Sequence, residues 1–83
     1  MNSSVAPEFW ALFNSLPAEV QARARKQFVL WLADHGHPSL HFKKVGPYWS
    51  VRVDGSHRAL GIERDGNILW FFIGAHDAYE GQI

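Results

Sequence analysis

The sequence contains no cysteine among its 83 residues. Disulfides therefore cannot compensate for the thin core of a short chain, and the absence is typical of proteins from a reducing compartment. A structural zinc site would depend on histidine and carboxylate ligands alone. An excess of charge of one sign is also missing, because eight Lys and Arg balance eight Asp and Glu. This balance argues against a protein that coats nucleic acid by bulk charge.

Long hydrophobic runs are missing as well. The longest, ILWFFIGA at 68–75, is far too short to cross a bilayer and is typical of a buried strand. The first ten residues, MNSSVAPEFW, have neither the positive region nor the long apolar region of a signal peptide. The P-loop, the dinucleotide fingerprint, the serine elbow and paired catalytic carboxylates are absent too. We therefore expect a cytoplasmic protein without a membrane partner.

The first half of the chain predicts a helical hairpin. The length is that of one domain over residues 1–83, of which the small, polar residues 1–6 are expected to be disordered. Apolar residues then recur at helical spacing in two stretches that Pro17 separates, and Gly36 and Pro38 end the second. The two apolar stripes are Phe9, Leu12, Phe13 and Leu16, and Val20, Ala24, Phe28, Trp31 and Leu32.

After Pro38 the hydrophobic period changes to two, which predicts strands. Three are expected, at 49–53, 57–63 and 67–74, with hairpin turns at Asp54–Gly55 and Asp65–Gly66. The stretch LHFKKV at 40–45 is either a short fourth strand or an extended arm. The predicted fold class is therefore α+β, with an N-terminal helical hairpin packed on a three- to four-stranded antiparallel sheet.

Two arginines, Arg52 and Arg58, lie on neighbouring predicted strands. Arg52 alternates with apolar residues that are the natural surface for the helices, so it is expected to face away from them. A two-residue turn would pair Arg52 with His57, and any nearby register brings Arg52, His57 and Arg58 together.

The guanidinium fork suits phosphate oxygens, which suggests an anion site. Basic residues also dominate the segment from His35 to Arg58, where Asp54 is the sole acid. The alternative is two surface arginines in ion pairs with Asp54, Glu63 or Asp77.

These features together resemble the RelE/ParE superfamily of bacterial toxins from toxin–antitoxin pairs. The similarity covers about residues 8 to 80 and consists of an ordered set of segments rather than one diagnostic motif. The segments are LPAEVQARARKQFVLWL, HFKKVGPYWSVRVDGSHRALG and NILWFFIGAHDAYE. The resemblance implies a small sheet packed against two helices.

The resemblance also implies a function. RelE-like members are ribosome-dependent endoribonucleases that cut mRNA, ParE-like members inhibit DNA gyrase, and a cognate antitoxin neutralises both. Mapped onto this chain, Lys43 and Lys44 bind RNA with His57 beside them, and Arg52 and Arg58 hold phosphate. His76 and Tyr79 are the catalytic or base-stacking residues. No metal or other cofactor is expected.

Two departures from the family pattern bear on this interpretation. Many members begin with a β-strand, whereas this sequence is expected to start almost directly with a helix. Many RNA-cutting members carry an arginine near the end of the last strand, whereas Asp77 follows His76 here.

The preferred hypothesis is a type II toxin that cleaves mRNA on the ribosome without a metal and that forms an oligomer with its antitoxin. The alternatives are a non-enzymatic gyrase inhibitor and an inactive member that binds only its antitoxin. His76 and Tyr79 would then cap the last strand, and Lys43–Lys44 would be a solvated pair. The spacing of His35, His37 and His41 matches no common metal site, so they are interpreted as loop residues.

Overall fold

The structure is a computed structural model and describes residues 1–77. Two helices pack on a sheet that has five strands within these residues, which confirms the α+β class. None of the helices in this range is long and apolar enough to cross a membrane. In chain order the elements are β1 (Asn2–Val5), α1 (Pro7–Asn14), α2 (Ala18–Ala33), a 3-10 turn (Pro38–Leu40), β2 (Lys43–Val45), β3 (Tyr48–Arg52), β4 (His57–Arg64) and β5 (Asn67–Ala75).

The sheet has the order β1-β5-β4-β3-β2. Strands β2 to β5 form an antiparallel meander, and β1 joins the far edge in parallel with β5. The Asp65–Gly66 turn has positive φ at both residues and pairs Arg64 with Asn67, as a two-residue hairpin requires. The stretch at 40–45 contains a short strand at Lys43–Val45, so the sheet has one or two strands more than the sequence predicted.

Strand β1 corrects the prediction that residues 1–6 are disordered and that the first strand is missing. Asn2–Val5 pairs in register with Asn67–Trp70. The amide of Asn2 donates to the carbonyl of Gly66 and that of Ala6 to the carbonyl of Trp70, each at 2.9 Å. The segment has weak intrinsic strand preference, and pairing with the open edge of β5 gives it its conformation. That pairing is non-local, so the local sequence pattern could not indicate it.

A β-bulge in β5 explains how a strand of continuous apolar residues supplies two separate faces. Leu60 pairs with Phe72 but Gly61 pairs with Trp70, which leaves Phe71 as an extra residue. Trp70 and Ile73 consequently belong to the same core cluster although they are three residues apart. Phe72 belongs to a smaller cluster with Leu60, against which Tyr48 and Phe71 pack. The prediction that this strand is apolar on both faces is confirmed.

The main core lies between the sheet and the helical hairpin. Phe13, Val20 and Trp31 are the buried helical members. Phe28 and Leu32, which the helical stripe predicted to be buried, remain 40% and 55% exposed. The helices do not close completely on the sheet, because a largely apolar cavity of about 160 Å³ lies between α1, α2 and strands β3 to β5.

Two hydrogen-bond donors in the core have no partner among the residues that the structure describes. The indole nitrogens of Trp31 and Trp70 are buried and have no acceptor within residues 1–77. The two rings meet edge to face with centroids 5.6 Å apart. A buried donor without a partner costs about 1–3 kcal/mol, so the core retains two groups that destabilise it.

Gly61 is expected to be indispensable to this packing. A Cβ atom at this position would lie 2.5 Å from Ile68 Cγ2 and 2.9 Å from Trp70 Cε3, both in the buried core. We predict that Gly61→Ala lowers the free energy of unfolding by about 1–3 kcal/mol, as overpacking usually does. Urea denaturation measures the change. Gly36→Ala is the control, because the added methyl would meet only Asp34 Oδ1 at 3.7 Å. Equal stability of the two variants would contradict the packing argument.

Candidate functional site

The candidate site lies at the end of the sheet where the β3–β4 turn meets the end of β5. Arg52 and Arg58 are direct cross-strand partners, and Arg58 in turn faces Gly74 on β5. The amide of His76 donates to the carbonyl of Ser56 at 2.8 Å, which ties the end of β5 to the turn. The strand register confirms that Arg52 and Arg58 lie together, whereas His57, the neighbour of Arg58 in β4, belongs to the opposite face of the sheet, where its Nδ1 lies 2.9 Å from Asp54.

The register itself differs by one residue from the predicted one. Arg52 pairs with Arg58 rather than with His57, and the connection comprises four residues, 53–56. The reason is the side chain of Asp54, which accepts a hydrogen bond from the Ser56 amide at 2.8 Å. This local bond closes the turn differently from a two-residue hairpin, and Gly55 does not adopt a positive φ.

Neither arginine forms the ion pair that the alternative interpretation required. Arg58 Nη1 donates to two backbone carbonyls, those of Asp54 at 2.6 Å and His57 at 2.9 Å. Within residues 1–77 no carboxylate lies within 4.0 Å of either guanidinium group. Like charges directly opposite each other on a sheet are destabilising, so this pair is a cost to the fold that an anionic ligand would relieve.

Asp54 is the electrostatic centre of the turn. Its carboxylate lies 3.2 Å from Arg23 Nη1 and 2.9 Å from His57 Nδ1, and its side chain is 17% exposed. Burial raises the pKa of this carboxyl, but the hydrogen bonds from His57, Ser56 and Arg23 and the charge of His57 outweigh it. The net effect lowers the pKa from 3.8 to about 2. The acid of the turn is therefore already paired, and within residues 1–77 no carboxylate compensates the two strand arginines.

Helix α2 contributes residues to the site that the sequence did not reveal. Arg52 lines an open groove with Arg23, Lys26 and His37, and the backbone carbonyl of Arg52 accepts a hydrogen bond from Gln27 Nε2 at 3.0 Å. Arg52 lies on the face of the sheet opposite the main core, as the strand alternation predicted, but α2 passes beside the end of β3 and so borders the same groove. The spacing of Arg23 and Lys26 places them on one helical face, but only the packing shows that this face borders the turn.

Lys43 and Lys44, which are successive residues of β2, lie on opposite faces of the sheet. Lys43 pairs with Ser50 and shares its face with Arg52, whereas Lys44 pairs with Trp49, which packs against the main core. Successive strand residues alternate between faces, so both cannot line one surface. Both side chains are exposed. Lys43 is the one that the register brings to the face of the arginines.

Of the two predicted C-terminal residues, the structure describes one. His76 is half-buried, follows β5 directly and is bonded through its backbone to the turn. Asp77 beside it is exposed. Tyr79 lies outside the described residues.

The three histidines after α2 have local contacts. His35 stacks on Trp31 with ring centroids 4.2 Å apart. His37 Nδ1 lies 3.0 Å from Ser39 Oγ, and His41 has a φ of 44° at the end of the 3-10 turn. Among residues 1–77 no group of three potential ligands has the geometry to hold a metal ion.

The pairing of Asp54 predicts a dependence of stability on acid. Because its folded-state pKa lies below its ordinary value, the stabilisation is complete above about pH 4 and is lost as the pH falls toward 2. Near neutral pH we expect the free energy of unfolding of the wild type to be about 2 kcal/mol higher than that of Asp54→Asn. This difference should decrease between pH 4 and 2. Urea titrations at several pH values measure it.

The control for this prediction is Asp65→Asn, which removes a carboxylate from the other hairpin turn. Asp65 has no ion pair within the described part of the chain. Its replacement is expected to change stability less than that of Asp54. A gap between wild type and Asp54→Asn that stays constant down to pH 2 would contradict the assignment.

The fold was compared with known proteins. No protein-family model matches the chain, and no curated protein matches its sequence. Solved structures do match. The RelB–RelE antitoxin–toxin complex from Methanococcus jannaschii gives a TM-score of 0.74 at 13% identity, over 95% of this chain and 96% of that chain. A YoeB/ParE toxin from Agrobacterium tumefaciens gives a TM-score of 0.68 at 12% identity, over 92% of this chain and 99% of that chain. The toxin–antitoxin complex RelBE2 from Mycobacterium tuberculosis gives a TM-score of 0.61 at 14% identity, over 90% of this chain and 96% of that chain. The resemblance inferred from the sequence is thus confirmed at the level of structure, and this chain has the fold of the RelE/ParE-type toxins.

Proposed function

We propose that this protein is the toxin of a type II toxin–antitoxin pair and that it cleaves mRNA on the ribosome without a metal ion. The toxin role is supported by structural neighbours that are RelE-, YoeB- and ParE-type toxins and that align over nearly the whole chain. Cleavage is supported by the groups at the end of the sheet, since RNA cleavage needs cations and proton-transfer groups at one phosphate.

The observation that carries the proposal is the direct pairing of Arg52 with Arg58. Two guanidinium groups occupy opposed positions on adjacent strands, and no carboxylate within residues 1–77 neutralises them. A phosphodiester would supply the missing negative charge, and the arginine fork matches its oxygens. During cleavage the same groups would stabilise the extra charge that develops on the phosphoryl oxygens.

His76 supplies a group for proton transfer. The ribose 2′-oxygen attacks phosphorus as a base removes its proton, and the 5′-oxygen leaves as an acid protonates it. His57 is held through Nδ1 by Asp54, an arrangement that fixes the orientation of an imidazole. His76 lies at the adjacent strand end. His76 is the proposed base or acid, whereas His57, with Lys43 and with Lys44 at the sheet edge, would contact the RNA. Tyr79 is retained as the proposed base-stacking residue.

The expected macromolecular partner is an antitoxin. The neighbours from Methanococcus jannaschii and Mycobacterium tuberculosis were solved as toxin–antitoxin complexes. In this chain β2 forms the outer edge of the sheet, so the backbone groups on its free side are available for another strand. An oligomer with the antitoxin follows from the same proposal.

Inhibition of DNA gyrase is the second candidate function. One structural neighbour is described as a YoeB/ParE toxin, and Asp77 stands beside His76 where a cation would assist cleavage. An inactive chain that binds only its antitoxin is the third. Neither makes use of the arginine pair, which no carboxylate within residues 1–77 compensates, and this is why cleavage is preferred.

The test is a cell-free translation reaction to which the purified protein is added, with mRNA 5′ ends mapped by primer extension. We expect new, ribosome-dependent cuts within codons. Arg58→Ala should slow cleavage on the order of 100-fold, since it removes a donor to the transition state. His57→Asn and His76→Ala should separately reduce it.

Arg64→Ala is the matched control, because Arg64 lies on the same strand at the opposite end and is exposed. It should cleave like wild type. Thermal unfolding of each variant separates loss of chemistry from loss of fold. Unchanged cleavage by Arg58→Ala would remove the mechanism, and intact mRNA with gyrase inhibition would favour the second candidate.

A further inference from the structure

The open groove between helix α2 and the β3–β4 turn carries more positive charge than a site for one phosphate requires. Its lining includes three permanent cations, Arg23, Lys26 and Arg52, and one acid, Asp54. The protein as a whole has no formal net charge. A local excess of one sign in a concave surface raises the local concentration of the opposite sign. The groove therefore attracts anions although the whole chain is neutral.

The groove is continuous with the proposed phosphate site, because three guanidinium groups converge on the same turn. Arg23 Nη1 lies 3.2 Å from Asp54 Oδ2, and Arg58 Nη1 donates to the Asp54 carbonyl at 2.6 Å. A Cβ atom built on Gly55 would lie 3.8 Å from Arg52 Nη2, so this guanidinium group also reaches the turn. Arg52 thus lines the groove and is at the same time the cross-strand partner of Arg58.

The acid of the groove cancels only part of this charge. The Asp54 carboxylate lies 3.2 Å from Arg23 Nη1 and 2.9 Å from His57 Nδ1, so it is already paired. Lys26 is exposed, and within residues 1–77 no carboxylate lies within 4.0 Å of its ammonium group. The same holds for the guanidinium group of Arg52. Two cations on the groove are therefore left for an anionic ligand.

We propose that this groove binds a second phosphate of the RNA strand whose first phosphate is held by Arg52 and Arg58. Lys26 would contact the second phosphate directly, and Arg52 would lie between the two. This inference rests on the proposed function for the identity of the strand, and it extends the site from one phosphate to a track along the RNA backbone. Contacts of this kind position the strand and do not read its sequence.

The composition of the groove favours a nucleic-acid backbone over an acidic segment of a partner protein. Protein partners gain most of their affinity from large side chains that fill well-packed, desolvated pockets. Among the residues within 1–77 that line this groove, only Leu30 and Val53 have apolar side chains. A phosphate backbone needs cations and hydrogen-bond donors instead, and these are what the lining supplies.

The experiment measures how the purified full chain binds a short, fluorescein-labelled, 2′-O-methylated oligoribonucleotide, by fluorescence anisotropy at salt concentrations from about 0.05 to about 1 M. Methylation removes the attacking 2′-hydroxyl, so binding is observed without cleavage. Each contact to a single strand contributes about 0.7 to the slope of log K against log salt. We expect Lys26→Gln to reduce the slope by about 0.7, which corresponds to about fivefold weaker binding at about 0.1 M salt than in wild type.

Arg25→Gln is the matched control, because it removes one positive charge from the neighbouring residue of the same helix. Arg25 belongs to a different surface, since its guanidinium carbon lies 5.0 Å from the centroid of the Phe13 ring and it lines the apolar cavity rather than the groove. Its slope should equal that of wild type. Thermal unfolding shows whether both variants keep the fold.

Three results would overturn the proposal. An unchanged slope in a folded Lys26→Gln variant would exclude the contact. An equal loss of slope in both variants would show that only net charge matters. Tighter binding of a labelled oligoglutamate peptide than of the oligonucleotide would assign the groove to a partner protein.

These outcomes are separable from the test of cleavage. Intact mRNA in the translation reaction together with a reduced slope for Lys26→Gln would reject the nuclease mechanism and keep the groove as a backbone-binding site. Cleaved mRNA together with an unchanged slope would keep the nuclease and reject the groove.

Discussion

Strand β5 is paired along both edges and is apolar on both faces, and the other elements are arranged around it. It holds β1 in parallel on one side and β4 antiparallel on the other. The extra residue Phe71 changes the alternation midway, so that Trp70 and Ile73 both reach the helical side while Phe72 reaches the opposite cluster. Gly61 makes the bulge possible by leaving room for the Trp70 ring. His76 follows the end of the same strand directly, and its backbone bond to Ser56 fixes it beside the β3–β4 turn.

The candidate site illustrates how stability can be exchanged for a charged surface. Asp54 is bound by Arg23, His57 and the amide of Ser56, so it orders the turn without neutralising the two strand arginines. A turn without this acid would be less well ordered, and an acid within reach of Arg52 or Arg58 would cancel the charge of the proposed phosphate site. Residues that lower the stability of the fold locally, as two opposed arginines do, are typical of functional sites.

The helical side of the molecule has a different character. Aromatic rings meet one another within α1 and, separately, around Trp31, yet a cavity remains between the helices and the sheet, and two indole donors have no acceptor within residues 1–77. Because aromatic rings are large and rigid, they leave gaps where they meet, and the thin core of a small domain has few smaller side chains to fill those gaps. The cavity and the proposed phosphate site therefore lie in separate parts of the molecule, one apolar and the other cationic.

The sequence by itself determined the local elements. Helical spacing, Pro17, the Asp65–Gly66 turn and the period-two strands predicted the helical hairpin and the meander, and the proximity of Arg52 to Arg58 followed from any plausible register. Tertiary structure decided the rest. The pairing of β1 with β5, the division of Lys43 from Lys44, the approach of Arg23 to the turn and the exposure of Phe28 and Leu32 all depend on contacts between residues distant in the chain. Periodicity reports which face of an element is apolar, but which partner covers that face, and how completely, is fixed by packing between elements.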